Sequence, residues 1–128
     1  MASTTGGKRP LSPHLTIYRP QISSVMSIFH RATGCFMALT VTLIVWWFLA
    51  AAAGPDYFAC AEGFLTSWLG ILIMVASAAT FSYHLMNGIR HLWWDIGNGF
   101  ELREMAVTGV IALIGAGVLT LIILFVAM

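Results

Sequence analysis

ATGCFMALTVTLIVWWFLAAAAGP, residues Ala32 to Pro55, runs for 24 positions without an Asp, Glu, Lys or Arg. A helix needs about 20 apolar residues to cross the hydrocarbon core of a bilayer, so this stretch is long enough to span. Two further runs share the property: the 27 residues from Gly63 to Ile89 and the 24 from Met105 to Met128. The expected fold is an all-α membrane protein with three transmembrane helices, at about 23–53, 63–92 and 104–128, following a cytoplasmic N-terminal arm over 1–22. The whole chain, 1–128, reads as a single membrane-anchor domain.

Composition supports that reading from outside the runs. Of 128 residues, 59% are hydrophobic and only 9% charged, where a soluble domain carries about 25% charge. A water-soluble globule is excluded. The formal net charge of +1 supplies neither the basic field that gathers nucleic acid nor an acidic tail, so no nucleic-acid partner is expected. The first run is also too long, and starts too late, for a cleaved signal sequence, whose apolar region covers about 7–15 residues near the start. The stretch MASTTGGKRPLSPH lacks the Arg-rich amphipathic pattern of an organelle transit peptide, and a bacterial cytoplasmic membrane is the expected location.

Basic residues orient the spans. Lys8, Arg9, Arg19 and Arg31 precede the first run, Arg90 and Arg103 flank the connection between the second and third, and the connection between the first and second holds only Asp56 and Glu62. The positive-inside rule then places the N-terminus inside and the C-terminus outside. Trp46, Trp47 and Tyr57 suit the outer aromatic belt, Trp93 and Trp94 the inner one. Pro10, Pro13 and Pro20 keep the arm irregular, and Ser23 or Ser24 is expected to cap the first helix. Thr108, Ala112, Ala116 and Thr120 form a small-residue ridge for close helix packing. Cys35 is expected near one end of the first helix and Cys60 beyond its other end, too far apart for a disulfide, and both read as small apolar residues.

Two polar clusters interrupt the apolar pattern, and the topology brings them to one side. Ser27, His30, Arg31 and Gly34 share a helix-face spacing; His84, Asn87, Gly88 and His91 share another, which Ser77 and Gly70 extend outward. His84 lies six residues before Arg90, roughly 9 Å deeper along the axis. An ionisable side chain at that depth must face the bundle and find a partner, which makes it a functional candidate. Imidazole there ligates haem iron, relays protons or hydrogen-bonds between helices. Gly88 leaves room for a flat macrocycle, and Arg31, His30, Arg90 and His91 are candidates to pair with its propionates. His84 and His91 project from one side of one helix and cannot ligate one iron from opposite faces. The second ligand is then His30, His14 or a residue of another chain. Ser27, Ile28 and Arg31 also suit a quinone carbonyl, because a hydroxyl and a guanidinium stabilise the charge that develops on its oxygen.

The strings RPLSPHLTIY (Arg9 to Tyr18), SIFHRATG (Ser27 to Gly34) and HLMNGIRHLWWDIG (His84 to Gly97) closely resemble the cytochrome b556 family of succinate dehydrogenase membrane anchors, part of succinate:quinone oxidoreductase (complex II). The resemblance implies a heteromeric helix bundle in which this anchor and a second hydrophobic anchor subunit share one haem b. It also implies docking to an iron–sulfur subunit that carries a flavoprotein, where succinate is oxidised. Electrons then pass from FAD through iron–sulfur clusters to ubiquinone in the respiratory chain and tricarboxylic acid cycle. By match to the motifs, His84 would be an axial haem iron ligand, with the other on the partner anchor. Ser27, Ile28 and Arg31 would line the quinone site, and His30, Arg31 and His91 would lie near the haem propionates. No residue of this chain would be catalytic toward succinate. The competing readings are a redox-inactive structural anchor of another multisubunit complex, a His84 proton or solute carrier, and an anchor holding both haem ligands itself. The carrier is the weakest, since the helix interiors hold no carboxylate.

Overall fold

The computed structural model describes residue 17 and residues 19–127, so Lys8, Arg9, Pro10, Pro13, His14 and most of the arm fall outside the described residues. Four helices follow in order: α1 (Ile22–Ala53), α2 (Pro55–Leu65), α3 (Trp68–Asp95) and α4 (Leu102–Ala127). Three of them, α1, α3 and α4, are long and apolar enough to cross a membrane, as the charge-free runs lead one to expect. At 32 residues, α1 extends about 48 Å. That exceeds the ~30 Å hydrocarbon core, so at least one end stands beyond it.

The helix ends follow from local chemistry. Gln21, just after Pro20, is extended (φ −91°, ψ 151°), and its carbonyl accepts the first helical bond from Val25 N–H at 3.0 Å. The cap is therefore Gln21, without a side-chain bond, and not Ser23 or Ser24, which already lie inside the first turn. At the other end Gly54 takes φ 121°, a conformation glycine adopts without strain, and Pro55 opens α2 at a position where its missing N–H is harmless.

The second span starts later than its charge-free run. The run begins at Gly63, but α2 closes at Leu65 and Ser67 caps a new helix: its hydroxyl donates to Phe64 O (2.6 Å) and accepts from Gly70 N–H (3.2 Å). Gly70 is buried where the end of α2 crosses α3, and a Cβ there would run into the backbone of Phe64 and Leu65. Trp46 Nε1–H donates to Tyr57 Oη (3.1 Å) and Trp47 meets Phe58 edge-on, so these aromatics fasten α2 to α1.

The three spans run up, down and up. Tyr83 Oη–H bonds Met26 O (2.8 Å) and the Thr40 and Ser77 hydroxyls meet at 2.9 Å, which sets α1 and α3 antiparallel. Arg90 reaches Met105 O (2.9 Å), and Gly115 lies beneath Met86, which sets α4 antiparallel to α3. The small-residue ridge of α4 is used: Ala112 and Ala116 are buried, joined by Gly109, while Thr108 and Thr120 are half-buried. Among the described residues, the buried hydrophobic ones are few and mostly small: Met26, Ala50, Ala61, Ala112 and Ala116. Large apolar side chains point outward along every span, as expected where lipid or another helix is the solvent. Cys35 and Cys60 are both free, and both are exposed on the surface of the chain.

Backbone cannot move aside as a flexible side-chain tip can. Gly70→Ala is expected to lower the thermal unfolding midpoint of the detergent-solubilised protein, at a cost of about 1–3 kcal/mol. Gly115→Ala, which meets only the end of Met86, should leave the midpoint close to wild type; equal melting of the two variants would refute the assignment.

Candidate functional site

The predicted polar faces meet, as expected, where the start of α1 packs against the end of α3. Each face then splits between two neighbours. His30 and Gly34 turn toward α3, where a Cβ on Gly34 would stand 3.2 Å from His84 Cε1. On α3, His84, Gly88 and His91 turn toward His30, whereas Asn87 turns to Arg90.

His84 is the fixed point of the cluster. Its Nδ1 lies 3.1 Å from the carbonyl oxygen of His30 and 3.3 Å from Thr33 Oγ1. A carbonyl can only accept, so in the neutral ring Nδ1 carries the proton and Nε2 keeps its lone pair. Such a bond from Nδ1–H is the usual support of a metal-ligating histidine. The His30 ring stacks on His84 with centroids 3.9 Å apart and planes 16° from parallel, and His91 follows at 5.0 Å from His30. Two rings in face contact leave no gap for a macrocycle between them in this arrangement. The rings stack and do not aim their nitrogens at one point; among the described residues no three His, Cys, Asp or Glu side chains form a metal-chelating group. His30 Nδ1 is buried with no hydrogen-bond partner, an unused polar atom beside the ring whose Nε2 is free to ligate. A ligand-ready imidazole, an unsatisfied ring nitrogen and two glycines at the contact are side-chain chemistry that fits a haem.

Arg90 does something else. The sequence offered it as a propionate partner or an orientation anchor, but it is only 5% exposed and directed between α3 and α4. Nε donates to Thr108 Oγ1 (3.2 Å), Nη1 to Asn87 Oδ1 (3.4 Å) and Nη2 to Met105 O (2.9 Å). The guanidinium carbon lies 4.1 Å from the centre of the Trp94 ring, which in turn meets His91 edge-on at 5.0 Å. Trp94 is therefore part of this network and not only of an aromatic belt.

The third set, Ser27, Ile28 and Arg31, stays on the outside. Ile28 is 65% exposed, Arg31 is exposed and Ser27 is half-buried. Hydroxyls in the spans mostly bond the carbonyl four residues back, as Thr33, Thr42, Thr80, Ser82 and Thr120 do. Ser27 makes no such bond, and Arg31 has no ion-pair or hydrogen-bond partner among the described residues. Thr33 and the Arg90–Asn87–Thr108 network are what the sequence reading missed. Thr33 sits three residues beyond His30 on the same face, and that spacing was the available signal.

Residues 5–125 match the family model described as succinate dehydrogenase/fumarate reductase transmembrane subunit. The chain belongs to that family. It is 41% identical over 129 positions to the succinate dehydrogenase cytochrome b556 subunit of Paracoccus denitrificans, covering 98% of this chain and 99% of the relative. The subunit of the same name from Rickettsia bellii is 47% identical over 102 positions, 80% of this chain and 79% of the relative. The cytochrome b560 subunit of Marchantia polymorpha is 37% identical over 119 positions, 89% and 87% of the two chains. With three long apolar helices, this member of the transmembrane-subunit family is a multi-pass membrane protein.

Arg90 presents three divergent donors to three fixed acceptors, a geometry that an ammonium group does not reproduce. Arg90→Ala is expected to destabilise the α3–α4 pair by about 2–3 kcal/mol, since bonds from a charged donor are lost. Arg90→Lys should recover less than half of the loss in thermal unfolding; full recovery would show that charge alone matters.

Proposed function

We propose that this chain is the cytochrome b anchor subunit of a succinate:quinone oxidoreductase in the bacterial cytoplasmic membrane. The observation that carries the reading is His84, held in a membrane span by the His30 carbonyl with its Nε2 lone pair free. In this reading the N-terminus lies inside and the C-terminus outside, and a second hydrophobic anchor subunit completes the helix bundle. The iron–sulfur subunit, bearing the flavoprotein that oxidises succinate, docks at the inner end. Family membership and the names of the relatives support these partners.

His84 would hold one haem b through Nε2, and the contact between the His30 and His84 rings favours a second ligand from the second anchor, which would share the haem. Bound there, haem b supplies a one-electron carrier inside the low-dielectric bundle. His30, through its unsatisfied Nδ1, together with Arg31 and His91, would offset the charge of the propionates.

Ser27, Ile28 and Arg31 form this chain's side of the ubiquinone-reduction site. Ile28 lies against the apolar ring, the uncommitted Ser27 hydroxyl donates to a carbonyl oxygen, and Arg31 stabilises the negative charge that grows there as electrons arrive. Protonation of both oxygens completes the quinol. Succinate itself never meets this chain.

His84→Ala in the assembled complex is expected to abolish or strongly alter the reduced haem b absorption bands. An unchanged spectrum would reduce the chain to a redox-inactive tether. Ser27→Ala and Arg31→Ala should each slow succinate-driven quinone reduction on the order of 10- to 100-fold, with succinate oxidation by an artificial dye acceptor retained. Parallel loss in both assays would remove the quinone role.

A further inference from the structure

We infer that Thr33 is a positioning residue for the axial imidazole: its hydroxyl is a second acceptor for His84 Nδ1–H and so helps set the redox potential of the haem. The inference rests on His84 being an iron ligand, as proposed above.

The argument is a count of protons. Thr33 Oγ1 lies 2.8 Å from Phe29 O and 2.9 Å from His30 O, and 3.3 Å from His84 Nδ1. The hydroxyl has one hydrogen, and both nearby carbonyls can only accept. That hydrogen is therefore given to α1's own backbone, and what remains toward His84 is a lone pair. Nδ1–H is shared between two acceptors, the His30 carbonyl at 3.1 Å and Thr33 Oγ1 at 3.3 Å. Gly34, the next residue, lets the ring lie against α1 closely enough for both contacts. The position of Thr33 is itself fixed by its back-bonds to α1, so the second acceptor is held in place without help from α3.

Acceptors on Nδ1–H make an imidazole a stronger donor through Nε2. Stronger donation favours the oxidised metal, so each acceptor lowers the potential. Losing the Thr33 oxygen must raise it. A side chain that only filled space, or only steadied α1 through its back-bonds, would change stability and leave the potential alone.

The test uses the assembled complex with potentiometric titration of haem b and electron paramagnetic resonance of the oxidised state. Thr33→Val is expected to keep the haem but make it easier to reduce, by about threefold to tenfold in the equilibrium constant, tenfold being about 59 mV for one electron. The largest g value should move with it, because ring orientation changes, and Thr33→Ser should restore both quantities. Haem loss in an assembled Thr33→Val complex, with retention in Thr33→Ser, has the same meaning. If the valine variant does not assemble, Thr33→Ala is titrated in its place. Wild-type potential and g values in the valine or alanine variant, or an equal shift in the serine variant, would overturn the inference and leave the His84 assignment standing. Normal haem in His84→Ala would remove both.

Discussion

The bond from His84 Nδ1–H to the carbonyl oxygen of His30 is short on energy and long on consequence. A neutral imidazole in hydrocarbon brings one donor and one acceptor out of water, and leaving either bare is costly. The donor is satisfied within the chain at 3.1 Å. The acceptor is left for something else. For the bond to form, two helices must approach until a histidine ring touches the opposing backbone, which is why Gly34 stands opposite His84 and Gly88 opposite His30. The Tyr83–Met26 bond at the same level and the Thr40–Ser77 pair farther out hold the register in which that approach occurs.

How far the sequence could be read depended on which physical rule was in force. Spans follow from bilayer thickness and the absence of charge, and α1, α3 and α4 lie where those rules put them. The separate α2 escaped because hydrophobicity does not change at Thr66–Ser67; the break is made by a hydroxyl cap and by backbone packing on Gly70, neither of which alters the apolar run. The polar stripes were seen, but not their division. Positions three and four residues on fall to either side of the starting one, at about −60° and +40° on a helix of 3.6 residues per turn, so Asn87 and Gly88 serve different partners. Thr33 was passed over for a related reason: its spacing from His30 puts it on the right face of α1, but its value lies in the contact with His84 on α3, which spacing alone does not show. Succinate, the flavoprotein and the second anchor were supplied by resemblance alone.

Arg90 shows how a cation can be kept inside such a bundle when no carboxylate is at hand. Three neutral oxygens and the face of Trp94 take the place of water and counter-ion. Two of those oxygens, Thr108 Oγ1 and Met105 O, belong to α4 and depend on the end of α3 lying against its start, whereas Asn87 and Trp94 are on α3 itself. The charge thereby joins these two helices just below the loop in which Gly97 and Gly99 take positive φ. A rule that treats basic residues as markers of loops does not see the role that Arg90 takes between α3 and α4.

The scarcity of large buried side chains bears on what holds the spans together. With Met26 and four alanines as the buried apolar residues among those described, the fit between the spans rests on close backbone approach and on the few interhelical hydrogen bonds. Whatever packs on the outer faces of the three spans, lipid or another helix, therefore supplies most of the surroundings that their large side chains meet.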